Sequence, residues 1–250
     1  NWSNSGFPAV APPGNGDSAN VANGGNAQWT TNAAYTVQVL RAGNGAAGTI
    51  SISGGNAFTS ANDVLVGRQS GTPIGTLNVS GAGTIFNVTT GNTHVGTVSH
   101  TFGTAGAAAA GVLNISSRAV FNHNPGGDDS FIIGNNLPNG ANPVQAGTYK
   151  GTLNVDGGTL NVLNGSRLHV GQSQGGVGEM NVSNGGLVNV TDDDMVTGRA
   201  GTGILNLSGG TITKSGGGTF IAGFQGGTST VNHTGGALNV AGGEFWIGQD

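Results

Sequence analysis

Residues 151–172 read GTLNVDGGTLNVLNGSRLHVGQ. The tetrapeptide TLNV stands at 152–155 and again at 159–162, and only Asp-Gly-Gly at 156–158 separates the two copies. A third apolar phrase, LHVG, follows at 168–171. Alternating apolar and polar residues are typical of short strands, and glycine pairs are typical of the turns between them. The stretch therefore predicts a unit of strand, turn, strand, turn, strand and glycine.

Variants of this unit recur along the chain, which indicates a repeat architecture. The first phrase occurs as GTISISGG (48–55), GTLNVSGAG (75–83), GVLNISS (111–117), GTLNVDGG (151–158), GEMNVSNGG (178–186), GILNLSGG (203–210) and STVNHTGG (229–236). The third phrase ends in glycine: DVLVG (63–67), THVG (93–96), FIIG (131–134), LHVG (168–171), MVTG (195–198), FIAG (220–223) and FWIG (245–248). Successive first phrases lie 27, 36, 40, 27, 25 and 26 residues apart, and the two longest spacings contain insertions.

A unit of 25–27 residues is too short to bury an apolar face alone, so neighbouring units are expected to stack. We predict an all-β fold, a right-handed parallel β-helix of about eight three-strand coils. The predicted organisation is one continuous domain, with a lead-in and degenerate first coil at 1–47, repeats at 48–250, and loop insertions at 97–110 and 135–150. A stack of antiparallel hairpins, as in a propeller or sandwich, is the alternative; those folds use longer strands.

Composition excludes several classes of function. Only 7% of the residues are charged, the net charge is −4, and no basic stripe exists, so nucleic acid is a poor partner. No apolar run approaches the ~20 residues of a transmembrane segment. Cysteine is absent, and the sequence begins at Asn1 rather than Met. We expect a protein exported to the bacterial cell surface or the extracellular space after removal of a signal peptide; a fragment of a longer chain is the alternative.

The middle residue of the first strand is predicted to face outward, because side chains alternate along a strand. Stacked coils would place these residues in one column of identical amides that hydrogen-bond to each other, as in cross-β stacks. Binding of a ligand such as a sugar is the functional alternative. The predicted ladder comprises Asn78, Asn114, Asn154, Asn181, Asn206 and Asn232.

The outward position of the third strand is mostly apolar, although an outward column should be polar. Contiguous exposed apolar surface marks an interface. The alternative is that the insertions or the N-terminal segment cover it. This predicted stripe comprises Leu65, His94, Ile132, His169, Val196, Ile221 and Trp246.

The two insertions follow the third strand in adjacent coils, so they are expected to lie side by side as one protrusion. Loops on a rigid scaffold often carry specific contacts. Phe102, Tyr149 and Lys150 belong to these insertions, and we predict that they contact a specific partner.

The acidic run Asp192, Asp193 and Asp194 is the strongest candidate for chemistry. Clustered carboxylates bind Ca²⁺, but a solvated turn is the alternative, and the nonapeptide calcium repeat is absent. Arg167 is expected to pair with Asp194 of the next coil. Arg167 and Arg199 near this run make the best enzyme-like cluster, but the chain shows no triad and no facing carboxylate pair. We therefore expect no enzyme activity and no required cofactor.

The phrases GTLNVSGAG, GTLNVDGGTLNV and GILNLSGGTIT resemble the β-strand repeats of autotransporter passenger domains and related exported bacterial surface proteins. The opening NWSNSGFPAVAPPGNGDSANVAN is similar to the lead-in that precedes such repeats. The resemblance covers nearly the whole chain. It implies a right-handed β-helix displayed outside the cell as a stalk, adhesin or matrix component.

The last unit stops at 244–250 in the middle of the pattern, which indicates either truncation or an end covered by another subunit. We therefore expect a non-enzymatic extracellular structural protein that self-associates, as a head-to-tail filament or surface-fibre subunit. The alternatives are an adhesin that binds glycan or a surface protein through the insertion loops, and a polysaccharide-active β-helix enzyme.

Overall fold

A computed structural model describes residues 3–4, 7–8, 16–30, 33–68, 74–97, 109–127, 129–136 and 149–250 of the chain. Most of both insertions, including Phe102, lies outside the described residues. The described part contains strands and turns, and no helix in it is long and apolar enough to cross a membrane.

The strands are short and follow one another in a repeating order of three. The N-terminal strands are β1 (Ser3–Asn4), β2 (Phe7–Pro8), β3 (Ser18–Val21), β4 (Gly25–Trp29), β5 (Tyr35–Val37), β6 (Val39–Asn44), β7 (Gly48–Ile52), β8 (Ala57–Ser60) and β9 (Val64–Arg68). The next are β10 (Ile74–Ser80), β11 (Ile85–Val88), β12 (Thr93–Thr97), β13 (Ala109–Ser116), β14 (Val120–His123), β15 (Ser130–Asn135), β16 (Tyr149–Asp156), β17 (Thr159–Val162) and β18 (Arg167–Val170). The last are β19 (Gly176–Ser183), β20 (Leu187–Thr191), β21 (Met195–Arg199), β22 (Thr202–Ser215), β23 (Phe220–Phe224), β24 (Thr228–Ala241) and β25 (Phe245–Gln249).

Like strands of successive coils pair in parallel, so the fold is a parallel β-solenoid, as the repeat predicts. The third strands form a nine-stranded sheet from β3 to β25 in sequence order. The first and second strands form two further ladders, which β22 joins into a 14-stranded sheet because it runs through both positions. Each coil therefore uses the preceding coil as the template for its backbone hydrogen bonds.

Insertions leave the register of the ladders unchanged. Asn78 pairs with Asn114 across the first insertion, and Asn114 pairs with Asn154 across the second. Gly75, Gly111 and Gly151 occupy one register position in the same way. Extra residues are thus accommodated at a corner, where they cost little, instead of inside a ladder, where a one-residue slip would reverse every side chain.

The core is a continuous column of inward-facing side chains. In β16 and β17 the predicted inward residues Leu153, Val155, Leu160 and Val162 are all fully buried. Three phenylalanines on the second strands stack from coil to coil: ring centroids are 5.4 Å apart between Phe58 and Phe86 and 4.7 Å apart between Phe86 and Phe121. Aromatic stacking of this kind adds to the free energy gained by burial alone.

Backbones from different sheets meet without side chains between them at the corner where one coil passes to the next. Gly134 ends the third strand of its coil with φ of 70°, and it lies against Val177 and Gly178 in the first strand two coils later. Gly151 lies against the carbonyl of Val95 and the amide of Gly134. A Cβ at either glycine would overlap backbone atoms, so the repeat needs glycine at both positions.

This contact predicts the effect of adding one methyl group. Gly151→Ala places its Cβ on backbone atoms that cannot move without breaking a ladder. Overpacking of this kind is expected to lower the free energy of unfolding by about 3 kcal/mol. Urea unfolding followed by circular dichroism measures the loss.

Gly209→Ala is the matched control, because its added Cβ would meet the nearest atom at 3.7 Å, an ordinary contact. We expect a change within about 0.5 kcal/mol for this variant. Equal stability of the two alanine variants would contradict the proposed close contact of backbones.

Candidate functional site

The outward amides of the first strands form one continuous hydrogen-bonded ladder. Each Nδ2 donates to the Oδ1 of the preceding coil over 2.8–2.9 Å, in the pairs Asn114 to Asn78, Asn154 to Asn114, Asn181 to Asn154, Asn206 to Asn181 and Asn232 to Asn206. Asn78 donates to the Ser51 hydroxyl over 3.2 Å. All these amides point in the same direction, so each rung orients the next.

A second ladder runs along the second strands. Asn122 donates to Asn87 over 2.9 Å, and Asn161 donates to Asn122 and Asn189 to Asn161 over 2.8 Å each. We did not predict this ladder from the sequence. The sequence feature that could have predicted it is the asparagine at the third place of the phrases IFNV, VFNH, TLNV and LVNV.

A polar groove lies on the first-strand face, beside the first ladder. Its volume is about 410 Å³, and we call it the amide groove. Five neutral polar side chains and one carboxylate line it: Asn114, Asn154, Asn181, Ser116, Ser183 and Asp156. The three asparagines were predicted as ladder residues, whereas the serine and aspartate positions were not singled out from the sequence.

The predicted exposed stripe on the third strands is wrong over most of its length. Leu65, Ile132, His169, Val196 and Ile221 are between 2% and 5% exposed, so they form no open surface. His94 is half-buried, and only Trp246, in the last coil, is exposed, at 37%.

The surroundings of His169 show why this position is not open. Gln172, Arg167, Arg199 and Asp194 all lie close enough to influence the pKa of its ring. The chain continues in register past the strand, because the Gln172 backbone amide donates to the Gly134 carbonyl over 3.0 Å. The sequence pattern showed which residues share this side of the strand, but it did not show the groups that surround them.

Two buried histidines have lowered pKa values. Burial lowers the pKa of His169 to about 4. Burial, followed by the nearby charge of His94, lowers the pKa of His123 to about 3. His123 points into the core, where its Nδ1 shares a hydrogen bond of 3.1 Å with the Thr93 hydroxyl. Both rings are therefore neutral near neutral pH.

Of the insertion residues predicted to contact a partner, Tyr149 is buried and Lys150 is exposed. Tyr149 is fully buried against Ala109, because β16 begins at Tyr149 and places it on the inward side of that strand. Its assignment to an exposed partner site is therefore wrong. Lys150 is exposed and forms an ion pair of 3.2 Å with Glu179 of the next coil. Phe102 lies outside the described residues.

Asp193 and Asp194 of the acidic run make different contacts. Arg167 pairs with Asp193 at 3.3 Å, not with the predicted Asp194. Asp194 instead accepts the backbone amide of Thr219 over 2.7 Å, which ties the corner to the next coil. The described residues contain no group of three acidic, histidine or cysteine side chains arranged to hold a metal. Calcium binding at this run stays a prediction.

The last coil presents apolar side chains at positions that are more covered in the coil before it. Phe245 and Trp246 are 49% and 37% exposed, while their register partners Phe220 and Ile221 are 0% and 4% exposed. Ile247 is 78% exposed, while its register partner Ala222 is half-buried. Val231 in β24 is 36% exposed. Within the described residues, β25 pairs only with β23 and β24 only with β22. We call the surface formed by Val231, Phe245, Trp246 and Ile247 the end face.

Comparisons of the chain with protein-family models, with curated proteins and with solved structures find no match. The candidate sites are therefore judged by their own geometry.

The buried His123 predicts a dependence of stability on pH. Its folded-state pKa of about 3 lies below its ordinary value of 6.5, so the unfolded chain binds more protons between these pH values and stability falls as the pH falls. We expect His123 to make the protein about 2 kcal/mol less stable at pH 5 than at pH 7. Urea unfolding at both pH values measures this difference.

His123→Val is the matched variant, because Val88 and Val162 occupy the same register position in the two neighbouring coils. We expect its stability to change with pH by about 2 kcal/mol less than the wild type over this interval. An unchanged pH dependence would show that His123 is not buried in its neutral form.

Proposed function

We propose that the protein is a non-enzymatic structural β-solenoid that associates with a second copy of itself through the end face. The observation that carries the proposal is the change in exposure between β23 and β25. Positions that are buried at Phe220 and Ile221 are exposed at Phe245 and Trp246, and β23 is the one strand that pairs with β25 among the described residues. Unpaired strand edges next to exposed apolar side chains favour pairing with another chain.

Simple energetics indicate how strong this association is. Complete burial of an apolar side chain contributes about 1.5–3 kcal/mol. The four partly exposed side chains of the end face therefore contribute a gross free energy similar to the lower end of the roughly 4–15 kcal/mol that association costs. Backbone hydrogen bonds along β24 and β25 add to this. We expect association that depends on concentration.

The opposite end of the described solenoid bears on the geometry of the assembly. The inward residues Ala19, Ala27, Val37 and Leu40 of β3 to β6 are at most 2% exposed, although β3, β4 and β5 each pair on one side only within the described residues. Because these side chains are covered while those of the end face are exposed, we propose a pair formed by two end faces. The head-to-tail filament expected from the sequence is the alternative, since strand edges are open at both described ends.

Export to the bacterial cell surface or the extracellular space is part of the proposal. The lack of cysteine, the 51 glycines and the resemblance to autotransporter-type repeats support it. Two rigid polar faces, each held by an amide ladder, suit a structural element more than a catalytic one.

A charge on the end face tests self-association. Light scattering coupled to size-exclusion chromatography should show the wild-type chain as a dimer at high concentration and as a monomer on dilution. Ile247→Lys should remain monomeric, because pairing would bury an unpaired ammonium group. Leu187→Lys is the control: this residue is 42% exposed, on the second-strand face, and its change should not affect association.

A wild-type chain that is monomeric at all accessible concentrations would refute the proposal. If Ile247→Lys and Leu187→Lys were monomeric to the same extent, the contact would not lie at the end face, and the proposal would also be contradicted. Fibres seen by electron microscopy would support self-association but would restore the head-to-tail arrangement.

A further inference from the structure

The amide groove contains hydrogen-bonding groups that the ladder does not use. An asparagine side chain offers two N–H donors and two acceptor lone pairs. The ladder uses one donor and one acceptor of Asn154, whose Nδ2 donates to Asn114 and whose Oδ1 accepts from Asn181. The side chain is half-buried, so its second N–H and second lone pair are available on the outer face.

These groups recur at a regular distance. Adjacent coils are about 4.8 Å apart, so the groove contains one amide per coil along the solenoid axis. At Asn181 the Nδ2 group also donates to Glu179 Oε1 over 3.3 Å, so the free donors of the groove lie at Asn114 and Asn154. The ladder bonds hold each amide in a fixed orientation before any ligand arrives, which reduces the entropy cost of binding. Serine hydroxyls at Ser116 and Ser183 line the same groove.

Asp156 is the one charged residue of the groove. Its register partner in the next coil is Ser183. The Ser183 hydroxyl donates to Asp156 Oδ1 over 2.8 Å, and the Asn184 side-chain amide donates to the same oxygen. Both bonds end on Oδ1, so Oδ2 is available to accept hydrogen bonds from a ligand. The nearest cation on this strand face, Lys150, is paired with Glu179.

We propose that the amide groove binds a neutral, linear polysaccharide whose chain runs parallel to the solenoid axis. Amides, hydroxyls and one carboxylate are the groups that exchange hydrogen bonds with sugar hydroxyls. Each sugar residue of an extended pyranose chain advances by about one coil spacing, whereas an extended peptide rises only about 3.3 Å per residue and would lose register with the amides. A polyanion is disfavoured, because the only charge that lines the groove is negative. This site is independent of the end face.

The repeated TLNV provides a matched pair of variants for the test. Asn154 and Asn161 lie in the same coil, and each is an interior rung of its ladder. Asn154→Ser and Asn161→Ser therefore remove the same number of ladder bonds and should destabilise the fold equally. Only Asn154 lines the groove. Asp156→Ser removes the carboxylate and introduces the residue found at the register partner Ser183.

The experiment measures binding to immobilised cellohexaose, mannohexaose and chitohexaose, with oligogalacturonate as the charged probe. We expect the wild-type protein to bind at least one neutral probe. Asn154→Ser and Asp156→Ser should weaken that binding by about tenfold, the effect of losing one strong hydrogen bond. Asn161→Ser should leave it within about twofold, because the change is on a different face. Thermal denaturation of each variant confirms that it is folded.

Three results would overturn the proposal. The first is the absence of binding to all three neutral probes at millimolar concentration. The second is binding to oligogalacturonate alone. The third is an equal loss of binding in the Asn154 and Asn161 variants, which would show that the groove plays no particular part. Because none of these results depends on the oligomeric state, they are distinct from failure of the proposed self-association.

Discussion

The close contact of backbones between the third strand of one coil and the first strands of later coils is the constraint on which the solenoid depends. Gly67, Gly96, Gly134, Gly171 and Gly198 end third strands in a left-handed conformation and meet the first strand two coils later. Glycine in a strand lowers stability by roughly 0.5–1 kcal/mol relative to alanine. The repeat retains it because any side chain at this crossing would separate the sheets.

The amide ladders and the end face follow from the same stacking. Fixed register places Asn154 above Asn114 and below Asn181, so each amide finds one donor and one acceptor at the coil spacing. Within the described residues, β25 pairs on one side only, and its residue Ile247 is exposed. Both proposed sites therefore follow from the stacking of coils. Self-association uses the open strand edge, and the polysaccharide site uses the regular array of amides.

The sequence predicts the stacking of strands and the first amide ladder well, because both depend only on local periodicity. Alternation within TLNV shows that Leu153 and Val155 face inward, and both are fully buried. Alternation does not predict the contacts of residues near the ends of strands. His169 is buried beside Gln172, which lies beyond the end of its strand. Arg167 contacts Asp193, whereas Asp194 binds the Thr219 amide of the next coil. The amide groove was not predicted from the pattern of single strands, because side chains of three coils line it.

Removal of one whole coil tests the central claim most directly, namely that each coil is a template for the next. Deletion of residues 178–202 joins Val177 to Gly203, the register partner of Gly178, and should preserve every remaining ladder position. Urea unfolding followed by circular dichroism should show a folded β protein with one cooperative transition and a smaller m-value, because less surface is exposed on unfolding. A control deletion of half a coil breaks the register and should abolish the β signal in circular dichroism. The same loss in the variant that lacks residues 178–202 would contradict the account.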